Sequence, residues 1–494
     1  MNETVYERFT RIAEKQSNRT AVYEDRRSWT FGELKEMADR MAAAFPKPVS
    51  SVGIVMSHRA EMVAAMLAVL KTGARYVPAE PSFPRGRIRY MMQEADVDFV
   101  LTEPQFVEQL PGQNRILLEE LVQKGESAAE LGEEPQALPE DPAYVLYTSG
   151  TTGRPKGVCV RNENVCHYAD AFAAEFHPNR DDIMLQYSVC SFDIFVEEVF
   201  ASLLNGAALA IPSEEDKADI SSLMAFVERF HVTLLSGFPY LLSEMNRLPE
   251  IPKSLRLLIS GGDVLRGSYV DHLLDKAEVY NTYGPSETTV CASYYRCNGG
   301  AVLDDGTYPV GHAVEGTRIA ILDENGNELP DGEVGELCIY GGGVSNGYIG
   351  DHREENEVFV PQPDGSMMYR SGDLGYVLPD GEIAFLRRKD TQIMIYGKRV
   401  ELAEVESRVN QCKGVREAIV RVFKDTDRLP YMTAYCVPEK ENLDVADLRR
   451  QLKENLTSFM IPEYFVQLSE IPRNSNGKPD NEQLPIVLKV GKGI

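Results

Sequence analysis

Tyr147-Thr148-Ser149-Gly150-Thr151-Thr152-Gly153-Arg154-Pro155-Lys156-Gly157-Val158 is the stretch from which the rest of the chain can be read. It follows Asp141-Pro142-Ala143-Tyr144-Val145-Leu146, a short and largely apolar run with the character of a buried strand. Its twelve residues hold three glycines, four aliphatic hydroxyls and two cations, and Pro155 keeps a helix from forming. Glycines let the backbone turn tightly and bring N–H groups close to an anion. The hydroxyls of Thr148, Ser149, Thr151 and Thr152 add donors, and Lys156 adds a mobile positive charge. That chemistry suits a polyphosphate, although the spacing is not the G-x-x-x-x-G-K-[ST] of a P-loop. A polar surface loop between two strands is the plainer alternative.

Outward from this loop, helical and strand patterns alternate. Val5, Phe9, Ile12 and Ala13 fall at helical spacing. Thr30 and Glu33 fit an N-cap and its capping-box partner, ahead of a helix through Met37, Ala38, Met41 and Ala42. Residues 51–56 read as a buried strand, 61–70 as the helix after it, and Gly73 as its stop before another strand. Further strands are expected at 98–102, 232–237 and 257–260, and residues 122–142, rich in Glu, Pro and Ala, read as a solvated connector. Such alternation predicts parallel sheets in an α/β architecture, and 494 residues exceed one ordinary core. Strand ends carrying Gly and polar side chains, at Ser236, at Gly261 and Gly262, and from Asn281 on, mark the carboxyl edge of a sheet, the usual ligand crevice. In residues 191–200, Asp193 and Glu197 stand i and i+4 and share one helix face. Acids favoured by a helix N-terminal dipole are the alternative reading of that pair.

Composition narrows the class. The chain is 43% hydrophobic and 26% charged, as a soluble globular protein is, and its longest apolar run, 62–70, is far too short to span a bilayer. The first residues lack the basic start and apolar core of a signal peptide. Eight scattered cysteines form no C-x-x-C pair and no Cys/His cluster, so a cytoplasmic protein with reduced thiols is expected. A net charge of −25 argues against nucleic-acid or anionic-membrane binding.

Four further stretches join the loop in a fixed order. They are Asn281-Thr282-Tyr283-Gly284-Pro285-Ser286-Glu287-Thr288-Thr289, the glycine-rich 335–348, Tyr369-Arg370-Ser371-Gly372-Asp373-Leu374, and Pro472-Arg473-Asn474-Ser475-Asn476-Gly477-Lys478-Pro479-Asp480. Together with 147–158 they resemble the signatures of the adenylate-forming enzymes: acyl-CoA synthetases, luciferases and nonribosomal peptide adenylation domains. The resemblance covers nearly all of residues 28–480. It implies a large multi-subdomain N-terminal domain, 1–389, and a small mobile α+β lid, 390–494, hinged at Asp390. It implies Mg-ATP as cosubstrate. The phosphates would be held by Thr148, Ser149, Gly150, Thr151, Thr152, Gly153 and Lys156, the adenine by Tyr283, the ribose by Asp373 with Arg388, and Mg2+ by Glu287, with Gly262 and Asn281 also binding ATP. Lys478 takes the position of the catalytic cation, and 335–348 is taken as structural. Met394 and Tyr396 depart from the pattern, where basic residues are usual.

Within that superfamily the chain is most similar to the amino-acid-adenylating domains, because Asp193 falls where an aspartate pairs with the substrate α-ammonium. The implied reaction is carboxylate activation to aminoacyl-AMP, then thioester formation. No Gly-Gly-x-Ser carrier context and no His-His-x-x-x-Asp condensation motif occur, so a freestanding ligase loading a separate phosphopantetheinylated carrier protein is expected. The side-chain pocket implied by the resemblance is Ile194, Glu197, Ser236, Ile259, Gly261, Thr282, Val290 and Cys291. Glu197 beside Asp193 resembles pockets for lysine or ornithine; a small or neutral amino acid is the fallback, as in D-alanine-type ligases. An acyl- or aryl-CoA ligase would need an apolar or hydroxyl group at Asp193. A non-catalytic nucleotide-binding relative is opposed by Lys478, Glu287 and Asp373.

Overall fold

The computed structural model describes residues 3–127, 137–149, 154–299, 302–389, 392–395, 397–424, 430–440, 442–473 and 483–487. They form two compact units. One comprises Met1–Pro81, Met91–Tyr147 and Gly157–Lys389; the other comprises Ser82–Tyr90, Thr148–Lys156 and Asp390–Ile494.

The first unit is built on three sheets. A nine-stranded sheet runs in the order His312–Ala313, Ser293–Arg296, Glu278–Tyr283, Leu257–Ser260, Leu234–Gly237, Ile183–Leu185, Ala208–Ala210, Thr20–Tyr23, Ser28–Thr30. It is parallel from Glu278–Tyr283 to Thr20–Tyr23 and antiparallel at both edges. A six-stranded sheet orders Arg115–Leu117, Phe99–Thr102, Ser51–Val55, Arg75–Pro78, Pro142–Thr148 and Lys156–Arg161, with its first five strands parallel. The third sheet, five strands around Met367–Val377, is antiparallel. The α/β expectation with mainly parallel sheets therefore holds, and the antiparallel sheet is an addition that carries Asp373 and Arg388.

One hydrophobic cluster gathers Val52, Ile54 and Leu146 of the six-stranded sheet with Leu209, Leu234 and Ile259 of the nine-stranded one. The helix Ala60–Lys71 lies within this cluster, which is why it is apolar on almost every side, with ten of its residues buried. Local signals set helix starts. Thr30 Oγ1 accepts from Glu33 N (3.1 Å) while Glu33 Oε2 accepts from Thr30 N (2.8 Å), the expected capping box. Gly73, at φ +77, ends the Ala60–Lys71 helix region where a Cβ is disfavoured. The connector expected over 122–142 is corrected at its start: a helix runs Leu118–Ser127, because Leu118 and Leu121 bury against the core.

The second unit pairs Gln392–Ile395 with Lys398–Glu401, then runs through the helix Leu402–Asn410 to a sheet of Val415–Lys424, Pro430–Pro438 and Tyr464–Gln467. Val405, Val420, Ala434, Leu448 and Met460 share its core. Segment 82–90 is tied in by Arg87, whose guanidinium meets Glu404 at 3.0 Å with both side chains buried. Segment 148–156 is tied in by Ser149, whose hydroxyl donates to Arg399 O and accepts from Glu401 N, each at 3.1 Å.

Candidate active site

Three neighbouring parallel strands, Leu234–Gly237, Leu257–Ser260 and Glu278–Tyr283, end together. Their register pairs Ser236 with Ile259 and Ser260 with Asn281. Ser236, Ile259 and Thr282 are buried there. Gly261 is required by close approach, since a Cβ on it would meet Thr282 Oγ1 at 2.7 Å. The Thr282 hydroxyl therefore bounds the space beside Gly261. Beyond Tyr283 the chain makes a short 3-10 turn, Ser286–Thr288, and then Thr289 and Val290 both take positive φ, +60 and +70. Two β-branched residues in succession in the left-handed region are strained, and such strain collects at functional sites. The turn is held by Thr289 Oγ1 donating to Gly343 O at 2.7 Å and Ala292 N donating to Tyr283 O at 2.7 Å.

Facing this edge is the helix that begins at Asp193. It runs as α-helix over Asp193–Val196 and widens to a π-turn over Glu197–Ala201. The N–H of Glu197 is shared between Asp193 O and Ile194 O. Ser286 Oγ donates to Asp193 Oδ2 at 2.5 Å. Burial pushes Asp193 up to about 6, with the charge of Glu287 adding to the rise and the Ser286 bond opposing it. Glu197 is 1% exposed and accepts from the phenol of Tyr168 and the hydroxyl of Ser236. Burial pushes it up to about 7; those two bonds oppose the rise and Asp193 adds to it. Cys291 lies close enough to feel both acids, and its thiol bonds Thr282. Ile194 and Val290 are buried beside this group in sequence, at 7% and 3% exposure. Glu198, the next residue, faces another way: its carboxylate accepts from Ser188 N (3.0 Å) and Gln186 Nε2 (3.0 Å).

A second group forms around Asp373, in the middle of the strand Met367–Val377. Tyr283 Oη donates to Asp373 Oδ2 at 2.7 Å and Arg388 Nη1 to Oδ1 at 2.8 Å, across a register pair of neighbouring strands. The Tyr283 ring lies 6.4 Å from that of Phe385, tilted by 36°. Asn281 uses its amide to donate to Pro309 O at 2.8 Å, and Gly262 has φ +77. Glu287 is fully buried, accepts from Tyr348 Oη at 2.6 Å, and its carbonyl accepts from Ser345 N at 2.9 Å. A hard carboxylate oxygen beside the hydroxyl-rich turn fits Mg2+, which takes one or two protein carboxylates and completes its shell with phosphate and water.

At the loop expected to hold phosphate, Thr148 Oγ1 is buried with no hydrogen-bond partner among the described residues, and Lys156 is 5% exposed at the head of its strand. Gly150, Thr151, Thr152, Gly153, Asp390 and Lys478 lie outside the described residues. Three residues of these groups escaped sequence reading. Tyr168, Ser286 and Tyr348 each meet a site carboxylate through a side-chain hydroxyl. Only Ser286 and Tyr348 lie in quoted signatures, and nothing in those signatures says which acid they meet. Elsewhere, His58 Nε2 and Cys190 N both meet Glu80 Oε1, at 2.8 and 2.6 Å, a largely buried network of which Cys190 lies on the stretch leading into Asp193. Among the described residues no helix is long and apolar enough to cross a membrane.

Comparison with known proteins agrees with this geometry. The family model for AMP-binding enzymes matches residues 9–349, and that for the AMP-binding enzyme C-terminal domain matches 404–478. Bacitracin synthase 2 of Bacillus licheniformis is 36% identical over 489 residues, covering 98% of this chain and 19% of that protein. Tyrocidine synthase 1 of Brevibacillus parabrevis is 34% identical, over 98% of this chain and 45% of its own length. The chain thus spans about a fifth of the one and under half of the other. Among solved structures, NpsA-ThdA, an artificially fused adenylation-PCP di-domain from Klebsiella oxytoca, superposes with a TM-score of 0.85 at 26% identity over 94% of each chain. With both family models matched in order and the fold shared nearly end to end, the chain belongs to the AMP-binding enzyme family.

Proposed function

We propose that the protein activates a basic α-amino acid, lysine or ornithine, and passes it to the phosphopantetheine thiol of a separate carrier protein. The observation that carries this reading is the pair Asp193 and Glu197. Both are carboxylates pushed up by burial, both are met by hydroxyls, and neither forms an ion pair among the described residues. A buried anion without a cation is costly. A substrate with two ammonium groups supplies both partners: the α-ammonium to Asp193 and the side-chain ammonium to Glu197. Ser236 and Thr282 line the path between them, and Ile194, Ile259, Val290 and Cys291 flank the methylenes.

In the first step an oxygen of the substrate carboxylate attacks the α-phosphorus of ATP. The bond from that phosphorus to the bridging oxygen breaks, and pyrophosphate leaves with the electron pair. Positioning and electrostatics carry such chemistry. The loop 148–153 with Lys156 holds the leaving phosphates, and Lys478 bridges the substrate carboxylate and the forming ester. Tyr283 presents its ring to adenine beside Gly262, while Asn281 fixes the strand end. Asp373, paired with Arg388, accepts from the ribose hydroxyls. Glu287 would hold Mg2+, which when bound neutralises charge on the phosphates. In the second step the carrier sulfur attacks the acyl carbon, and AMP leaves. Between the steps a lid of 390–494 turns on 1–389 about Asp390. The eight cysteines are free and buried, which suits work in the cytoplasm.

ATP–pyrophosphate exchange with lysine, ornithine, alanine, leucine and phenylalanine tests this reading, on wild type and Glu197→Gln. Wild type should prefer lysine or ornithine. The Gln variant should lose about tenfold to a hundredfold of that preference, the worth of one hydrogen-bonded charge. A wild type that prefers a neutral amino acid, or a Gln variant that still prefers lysine, would show that Glu197 does not read the side chain.

A further inference from the structure

The side-chain pocket expected from the resemblance contains one acid, Glu197, and no residue of the helix Asn162–Phe176. Yet that helix buries Tyr168, at 2% exposure, with its phenol donating to Glu197. We propose that Tyr168 is a specificity-determining positioning residue: its O–H holds the Glu197 carboxylate in the orientation that receives a substrate side-chain ammonium. The proposal rests on the reading of Glu197 given above and adds to it what keeps that carboxylate in place.

The geometry has three parts. Tyr168 lies in the body of a fifteen-residue helix, and its ring packs against Phe172 with centroids 6.4 Å apart, so the phenol is fixed by the core rather than by the ligand. Glu197 lies at the first residue of the π-turn, where helix and pocket meet. An ionised carboxylate offers about four acceptor positions. The hydroxyls of Tyr168 and Ser236 fill two of them from the helix side and the strand side. The remaining positions are left to a donor that arrives with the substrate. A phenol has one hydrogen to give, so the Tyr168 bond fixes direction as well as distance.

The groups around Glu197 agree with this role. Asp193 on its own helix raises its pKa; Cys291 and Tyr294, from the strained turn and the strand after it, feel its charge. All of these are neutral or acidic. Tyr168 and Ser236 are the two contacts that favour the charged carboxylate. Burial also pushes the Tyr168 phenol far upward, so it stays protonated and remains a donor through the working range. Tyr294 and Cys291 meet the Tyr168 phenol and feel Glu197 only through its charge, so neither competes for the carboxylate.

Tyr168→Phe keeps the ring and deletes only the O–H. Exchange kinetics with lysine and leucine from pH 6 to 9 should show KM for lysine rising about tenfold to a hundredfold, the range for a hydrogen bond to a charge. KM for ATP should stay as in wild type, and the acid limb of kcat/KM for lysine should move to higher pH. A merely structural tyrosine would change neither that limb nor the lysine-to-leucine ratio. In the Glu197→Gln background the same change should have little effect on lysine, because the two residues act as one unit. Should the Phe variant not fold, 3-fluorotyrosine placed at 168 keeps the shape and strengthens the donor; the limb should then move to lower pH. A wild type specific for basic amino acids whose lysine KM and pH limb are unmoved by either change overturns the role of Tyr168 and leaves the reading of Glu197 standing. A wild type with no preference for basic amino acids overturns both.

Discussion

Asp373 accepts from a tyrosine and from the guanidinium of Arg388, whereas Glu197, just as deeply buried, accepts from a tyrosine and a serine. The two carboxylates lie in one unit and each meets a phenol, so what distinguishes them is the cation. Asp373 has its counter-charge built in on the neighbouring strand, and a ligand hydroxyl need only add a neutral hydrogen bond. Glu197 and Asp193 have none among the described residues, and burial raises both. A prepaired acid orients a neutral group; an unpaired one demands a positive one. On the proposed reading, the nucleotide side is thus complete before its ligand arrives, and the amino acid side is not.

The contrast breaks most sharply at Lys478, which lies outside the described residues and would itself be the missing cation if it paired with the pocket acids. In the proposed mechanism it serves the reacting carboxylate instead. Lys478→Ala should therefore lower pyrophosphate exchange by about 10²–10³-fold, the scale of losing one transition-state donor. Thioester formation from supplied aminoacyl-AMP should survive, with the acid limb of amino acid binding in place. Equal losses in both half-reactions, or disappearance of that limb, would join Lys478 to the pocket.

A smaller effect lies in pH. Ammonium binding needs ionised Asp193 and Glu197, whose values in the free enzyme are raised to about 6 and 7. The kcat/KM for the amino acid, which reports the free enzyme, should then fall as pH drops below about 7 and fall more steeply below about 6. The two acids interact, so the apparent values belong to the pair. Glu197→Gln should remove the upper step. The kcat/KM for ATP, measured at saturating amino acid, should lack both. A flat amino acid profile from pH 5.5 to 8 would erase the contrast with Asp373.

The smallest effect concerns Glu198, buried like its neighbour but held by Ser188 N and Gln186 away from the pocket group. Burial raises it to about 7 as well. Its folded value lies above its unfolded one, so its contribution to stability is full below the unfolded value and is lost as pH rises through about 7. Glu198→Gln should leave substrate preference alone, and its Tm relative to wild type should improve between pH 5 and pH 8. A change in the lysine-to-leucine ratio would place Glu198 in the pocket after all.

Much of this was legible in the chain because it depends on near neighbours. The Thr30–Glu33 cap spans three residues, the Ala60–Lys71 helix announces its burial by being apolar all round, and Gly73 marks a stop. The strand Pro430–Pro438 was not, because it is buried almost throughout and lacks the alternation that betrays a half-exposed strand. The helix over Leu118–Ser127 was obscured by the Glu-rich run that follows Leu118 and Leu121.

The sequence by itself determined which acids, hydroxyls and glycines were present, the order of the signatures, and the α/β alternation, since motif and periodicity are properties of a few consecutive residues. Tertiary structure alone decided what each acid met. Glu197 and Glu198 are adjacent and chemically identical, yet one turns to Tyr168, 29 positions away, and the other to the backbone of Ser188. Tyr283 reaches Asp373 across 90 positions, and Tyr348 reaches Glu287 across 61. Hydrogen bonding and desolvation act over a few ångströms of space, and no spacing along the chain encodes which distant side chains the fold will bring within that distance.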